Sequence, residues 1–158
     1  SADGLASLYW RLYQNLGLSP PQLPVQCSFE QLDRCFGRGN FDLVHVRNAL
    51  DHAFDAVEAV WRLLAATRRG GTLLLHHGRN EGVHMRHKGM HWWSFDLEGA
   101  ETADPQCILK FQDRWRINVN KEFAGTAKIE VRLVKSSELK LSATLEREDY
   151  IFVTMTRL

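Results

Sequence analysis

Seven histidines stand in this chain, and His76, His77, His84, His87 and His91 lie close together in sequence. Clustered imidazoles first suggest a metal centre, but the spacing argues against one. There is no H-E-x-x-H string and no paired-cysteine zinc pattern. The i,i+4 pair His87 and His91 encloses Lys88 and Gly89, which do not favour a helix. No metal is expected. Cys27, Cys35 and Cys107 are an odd, sparse set rather than a disulfide framework, and they read as small core residues rather than nucleophiles. Other polar side chains suited to a site gather as Asn48, Asp51 and His52, and again as Asn80 and Glu81. His91, Trp92 and Trp93 follow.

Elements must bring these groups together. Leu5, Leu8, Tyr9, Leu12 and Leu16 make one apolar stripe at helical spacing over residues 4–16, ended by Gly17. Pro20, Pro21 and Pro24 form a stiff connector, and Val25–Cys27 has the makings of a short strand. Ser28 with Gln31 three positions on resembles a capping box, with Ser28 as N-cap. Phe41–Val46 is short, β-rich and preceded by a turn, which predicts a buried strand. Asp55 caps the next helix, whose inner face is Val57, Val60, Trp61 and Leu64; Arg68 and Arg69 close it and Gly70-Gly71 stops it. Thr72–His76 is a second apolar strand. Strand, helix, strand makes a βαβ unit with parallel strands, so the polar tips after Arg47 and His76 are expected on one common rim.

Residues 78–105 show no clear period and are expected to form a long loop, the kind that is usually functional. Ile108–Phe111 and Trp115–Val119 suggest a hairpin. Ile129, Val131 and Leu133 alternate with polar residues, Leu139, Leu141, Ala143 and Leu145 do likewise, and Tyr150–Thr156 is a last β-rich run. These are expected to close one edge of the sheet as antiparallel strands.

The bulk numbers bound the function. A chain of 158 residues fits one domain and buries a core without help from metals or disulfides. Twenty basic against nineteen acidic residues leave a net charge of +1, which gives no support for a nucleic-acid groove. No run reaches the length of a membrane span and no signal peptide is visible, so a reducing, cytoplasmic setting is the default expectation, with an organelle interior the alternative. The chain opens on Ser1 rather than Met and reads as processed, trimmed or part of something longer.

The string FDLVHVRNALDH at 41–52, an amphipathic helix, and RRGGTLLLHH at 68–77 together resemble strand four, helix D and strand five of a class I S-adenosylmethionine-dependent methyltransferase. NEG at 80–82, GMHWWSFDLE at 89–98 and RINVN at 116–120 are similar to a bacterial and algal branch of that family. The resemblance spans roughly residues 3–158. It implies an α/β fold: an incomplete Rossmann-like methyltransferase sheet, with parallel strands and helices followed by antiparallel strands six and seven, in a single domain. It also implies S-adenosylmethionine as cofactor; the lack of strong charge bias in the chain points to a small-molecule acceptor. The sequence departs from the family in two places. It has no G-x-G-x-G string after a first strand, and Cys27-Ser28 occupies the usually acidic position after strand three.

By that resemblance, Asp3 matches the acid that binds the ribose hydroxyls, and Asp3, Ser28, Asn48 and Asp51 fall at cofactor-binding positions. His52 and His91 are the candidate bases, because imidazole titrates near neutral pH. His77, Asn80, Glu81 and Trp93 are candidate acceptor contacts. Plainer readings stay open. Asp3 suits a helix start, Asn48, Asp51 and His52 suit a helix-capping loop, the tryptophans suit buried loop anchors, and Glu81 suits a solvated surface. Two functions follow: an active methyltransferase whose first strand and Gly-rich loop come from elsewhere, or a non-catalytic accessory subunit. In both, a missing central strand leaves sheet edges that protein partners are expected to cover.

Overall fold

The β-rich run Phe41–Arg47 (β3) and the long strand Thr67–Gly78 (β4) lie side by side and parallel, with Val44 opposite Leu73 and Arg47 opposite His76, as seen in a computed structural model that describes residues 1–112, 114–138 and 149–158. The helix Ala56–Ala66 (α3) joins them. Asp55 caps it as expected: its Oδ1 accepts from the N–H groups of Val57 at 2.9 Å and Glu58 at 3.0 Å. Val60 and Leu64 are buried, while Val57 and Trp61 pack partly buried at the core's margin. The helix ends at Ala66, however, before the glycine pair. Arg68–Gly71 already belong to β4, where the Arg68 guanidinium reaches Asp42 at 2.5 Å. Gly71 is needed for a close approach rather than as a stop: a Cβ there would stand 2.9 Å from the carbonyl oxygens of both Arg68 and Asp42.

Before this unit, Ala2–Asp3 (β1) leads into the helix Ala6–Asn15 (α1), and Val25–Gln26 (β2) returns to pair parallel with β1. A 3-10 turn at Phe29–Gln31 and the helix Leu32–Phe36 (α2) follow. The Ser28 hydroxyl caps nothing; only its carbonyl accepts, from Gln31 N–H at 3.1 Å. Cys27 and Cys35, expected as separate core thiols, are joined by a disulfide that ties β2 to α2, because the turn between them brings their Cα atoms to 6.4 Å. Cys107 alone is a free, buried thiol, and burial pushes it up to about 12.

The expected loop over 78–105 holds a short helix, Glu81–His84 (α4), and a strand, Trp93–Glu98 (β5). Strand β5 pairs antiparallel with Gln106–Phe111 (β6), and β6 with Trp115–Asn118 (β7), so the expected hairpin is one part of a separate three-stranded sheet. Asp96 on β5 ties this sheet to the end of β4 through Arg79 at 2.8 Å, and also pairs with Lys110 of the neighbouring β6 at 2.5 Å. Burial raises the Asp96 carboxyl, but the hydrogen bonds from Lys110 and Arg79 outweigh it and hold it at about 2. Val119–Glu122 (α5) leads to Ala127–Val134 (β8), and Tyr150–Arg157 (β9) closes the main sheet in the order β3-β4-β9-β8, with β9 antiparallel to both neighbours. The alternating run Leu139–Leu145 lies outside the described residues. The core lies against one face of this sheet and is shared by α3, β4, β5, β6 and β9; Leu50, Leu73, Phe95, Leu109, Phe123 and Met155 are among its enclosed side chains.

Two surfaces differ from expectation. Strand β3 is buried only in part: Val46 belongs to the core, but Phe41 and Leu43 are exposed, Leu43 by 59%. Among the described residues, no strand pairs with its second edge, and β1 and β2 form a sheet of their own. The apolar stripe of α1 is likewise largely uncovered among the described residues, with Leu8, Leu12 and Leu16 all more than half exposed. Both surfaces face outward for the same reason, since an inner strand or an amphipathic helix is buried only when a neighbour covers it.

Candidate functional site

The common rim is built by Asn48. It follows β3 with a φ of +42°, a left-handed conformation that asparagine tolerates. Its N–H donates to the His76 carbonyl at 2.9 Å, and its Oδ1 accepts from Gly78 N–H at 3.0 Å. The end of β3 is thereby fastened to the end of β4, and the chain turns into the 3-10 turn Leu50–His52 with Asp51 folded inward. In open α/β sheets, ligands collect at this carboxyl end of the strands.

A cavity of about 480 Å³ opens between that rim and the β1–β2 pair. Asp3, Ser28 and His52 all line it, so three of the residues singled out from sequence share one hollow. The rest of its wall is largely apolar, with Tyr9, Phe29, Leu32, Phe54, Met90 and Trp92. Asp3 ends β1, and its Oδ1 accepts from Leu5 N–H at 2.7 Å; Leu5, not Asp3, is the N-cap of α1. Glu30, which the sequence reading passed over, both lines the cavity and accepts at Oε1 from the N–H groups of Phe54 and Asp55 at 2.9 and 3.2 Å. It locks the turn after β2 to the start of α3.

Behind His52 stands the tightest polar group of the rim. His91 Nδ1 lies 2.6 Å from Asp51 Oδ2, and His52 Nε2 lies 3.3 Å from each of those two atoms. The Asp51 side chain is 2% exposed, against 32% for His52 and 21% for His91. Trp92 N–H donates to the Asp51 carbonyl at 3.1 Å, so the loop that carries His91 is held against the 3-10 turn by backbone as well as side chains. Both candidate bases therefore converge on one carboxylate forty residues away from His91, a contact no spacing rule could announce.

The candidate acceptor contacts are placed otherwise. His77 is enclosed, 1% exposed, with its ring stacked on Phe95 at 4.0 Å, so it is not presented to a ligand. Burial, helped by His76, His45 and His52, lowers its imidazole to about 3. Trp93 is a buried anchor on β5 and packs against Phe111; its neighbour Trp92 is the tryptophan that faces the cavity. Asn80 and Glu81 stand at the start of α4, Asn80 with a φ of +58° and its N–H donated to the Phe95 carbonyl at 2.7 Å, and neither lines the cavity. Asn48 and Asp51 shape the rim from behind rather than lining the hollow.

No protein-family model matches the chain, and a search of curated proteins returns no match. Its fold does match solved structures. Over 99% of the chain and 80% of the other, it superposes on the YcgJ protein of Bacillus subtilis with a TM-score of 0.53 at 12% identity. It also superposes on a 16S rRNA (adenine(1408)-N(1))-methyltransferase from Catenulisporales acidiphilia, solved with S-adenosylmethionine as cosubstrate, with a TM-score of 0.51 at 14% identity. That match covers 90% of this chain but 64% of the enzyme, so the chain spans less than two thirds of that enzyme's length. The chain thus shares the fold of a methyltransferase. No described helix is long and apolar enough to cross a membrane.

Proposed function

We propose that this chain carries out S-adenosylmethionine-dependent methyl transfer to a small-molecule acceptor, with the cofactor seated in the cavity between β1 and the β3–β4 rim. The observation that carries this reading is the pairing across one hollow of Asp3, at the carboxyl end of β1, with His52, just past the carboxyl end of β3. The volume of about 480 Å³ suits a ligand of nucleoside size. Asp3 keeps one carboxylate oxygen for ribose hydroxyls while the other holds Leu5 N–H. Phe29, Leu32 and Trp92 offer apolar surface for a flat base, and the Cys27-Ser28 departure costs the site an acid that Glu30, three residues after Cys27, partly restores.

When bound, S-adenosylmethionine supplies an electrophilic methyl group on a sulfonium centre. The protein's task is then positioning and relief of the acceptor's proton. The Asp51, His91 and His52 group sits where that proton leaves, with Asp51 orienting the imidazoles. In this reading the parallel pairs β1–β2 and β3–β4 are two parts of one Rossmann-like sheet. A further parallel strand belongs along the edge of β3 that no described strand pairs with, bringing a Gly-rich turn over the cavity. That strand comes from a segment beyond these residues or from a partner chain. The near-zero net charge gives no field for a polyanionic acceptor, and no observation favours the accessory-subunit alternative.

Ultraviolet crosslinking with methyl-tritiated S-adenosylmethionine, followed by peptide mapping, tests the placement. Label is expected in the peptides that carry Asp3–Tyr9, Ser28–Leu32 or Met90–Trp92. Label found only on β7 or β8 would overturn it.

A further inference from the structure

The geometry points to a metal site that the sequence pattern hides: we propose that Asp51, His52 and His91 bind one divalent first-row metal ion at the edge of the cavity. The three donor atoms, Asp51 Oδ2, His52 Nε2 and His91 Nδ1, form a triangle with sides of 2.6, 3.3 and 3.3 Å. A point about 2.1 Å from all three, the usual metal–nitrogen and metal–oxygen distance, lies roughly 1 Å off their plane and subtends donor angles of about 75–105°. The three donors then lie on one side of the ion. Two imidazoles and one carboxylate on one face are a donor set that zinc, iron(II), cobalt(II) and nickel(II) accept, with remaining positions free for water or an oxygen ligand.

Two further observations point to a cation. Asp51 Oδ1 is buried and has no hydrogen-bond partner, so half of an enclosed carboxylate is unsatisfied. With Oδ1 unpartnered, positive charge at Oδ2 is what compensates the burial of this carboxylate. Among the described residues, no lysine or arginine forms an ion pair with Asp51; its only ion-pair partners are the two histidines. The donors are also held in advance. Asp51 lies in the 3-10 turn whose carbonyl binds Trp92 N–H, which fixes His91 one residue earlier. His87 and His91, the i,i+4 pair read from the sequence, do not ligate together. Residues 85–92 are not helical, with φ of +55° at Arg86 and +51° at His87.

His52 belongs to the cavity wall, so the ion adjoins the hollow. An oxygen of the acceptor can then be a ligand whose proton the ion would make acidic, in place of proton uptake by the ligated imidazole nitrogens, which makes a hydroxyl-bearing molecule the substrate class. That last step alone rests on the methyl-transfer reading; the ion site does not.

Titrating the metal-free chain with Co²⁺, read by its visible d–d absorption and by calorimetry, tests the site without cofactor or activity. One equivalent is expected to bind with a Kd of about 10 μM or tighter, roughly −7 kcal/mol. Asp51→Ala and His91→Ala are each expected to weaken it at least a hundredfold, and the exposed His45→Ala not at all. Should Asp51→Ala fail to fold, His52→Ala, which removes a third-exposed side chain, serves in its place, and Zn²⁺ is expected to raise the Tm of the parent chain but not of this variant. No d–d band, or a band unchanged in His52→Ala and His91→Ala, would overturn the proposal. Co²⁺ binding by a chain that ignores S-adenosylmethionine would leave the ion site standing and remove only the substrate class.

Discussion

Replacing Phe95 by Ala is expected to lower the unfolding free energy by about 3–5 kcal/mol, the range for emptying a fully enclosed aromatic site. Phe95 is 1% exposed at the middle of β5, opposite Leu109 on β6, and its ring lies flat on His77 of β4. Its backbone bridges to Arg79 and its carbonyl accepts from Asn80 N–H. One residue thus couples the three-stranded sheet to the rim end of the main sheet. Removing the ring leaves a cavity and also uncovers an imidazole with no hydrogen-bond partner on either nitrogen. Since whole domains are stable by about 5–15 kcal/mol, urea unfolding should shift to a far lower midpoint. A change below about 1 kcal/mol would show that the ring is replaceable and the coupling weak.

Mild acid is expected to destabilise the chain, and His77→Phe to remove much of that sensitivity. The folded state holds His77 at about 3 because burial, with His76, His45 and His52 nearby, opposes its charge. In the unfolded chain it returns to about 6.5. Between those values the unfolded state binds the extra proton, so stability is full above about pH 6.5 and declines as pH falls, by about 2 kcal/mol at pH 5 and 4–5 kcal/mol near pH 3. His76 acts in the same direction, held at about 4 by burial, Arg47 and His45, so some slope persists in the variant. Phenylalanine keeps the stack on Phe95, and because both His77 nitrogens are buried without partners, no hydrogen bond is lost. Urea unfolding at pH 7.5 and pH 5 should show the parent chain losing about 2 kcal/mol more than the variant. Equal losses would mean that His77 is solvated or paired.

The core of the fold was legible where a single local signal sufficed. β3, α3 and β4 carry continuous β-rich runs around an amphipathic helix with an aspartate cap, and β8 and β9 alternate cleanly. The glycine pair misled because Gly71 permits a close backbone approach inside β4, not a helix stop. β5 was passed over although the apolar residues Trp93, Phe95 and Leu97 recur at every second position and are buried; the histidine- and glycine-rich segment before it masked this short run. Burial of β3 and of the α1 stripe was misjudged because periodicity tells which face is apolar, never whether a neighbour covers it.

The site was legible by type more than by geometry. Asp3, Ser28 and His52 meet at one cavity because parallel strands deliver their ends to one rim. His91 reaches Asp51 only through a long-range fold contact, and the Cys27–Cys35 disulfide depends on a turn that the spacing alone does not define. His77 and Trp93 took the enclosed places while Trp92 took the open one, a distinction set by the strand pleat of β5 and by the packing of the two sheets.

Calorimetric titration with S-adenosylmethionine asks most directly whether the hollow between Asp3 and His52 is a cofactor site. A Kd of about 100 μM or tighter, near −5.5 kcal/mol, weakened at least tenfold by Asp3→Ala, is the expected result. No heat at about 2 mM cofactor, or equal affinity in the Asp3→Ala chain, would contradict it.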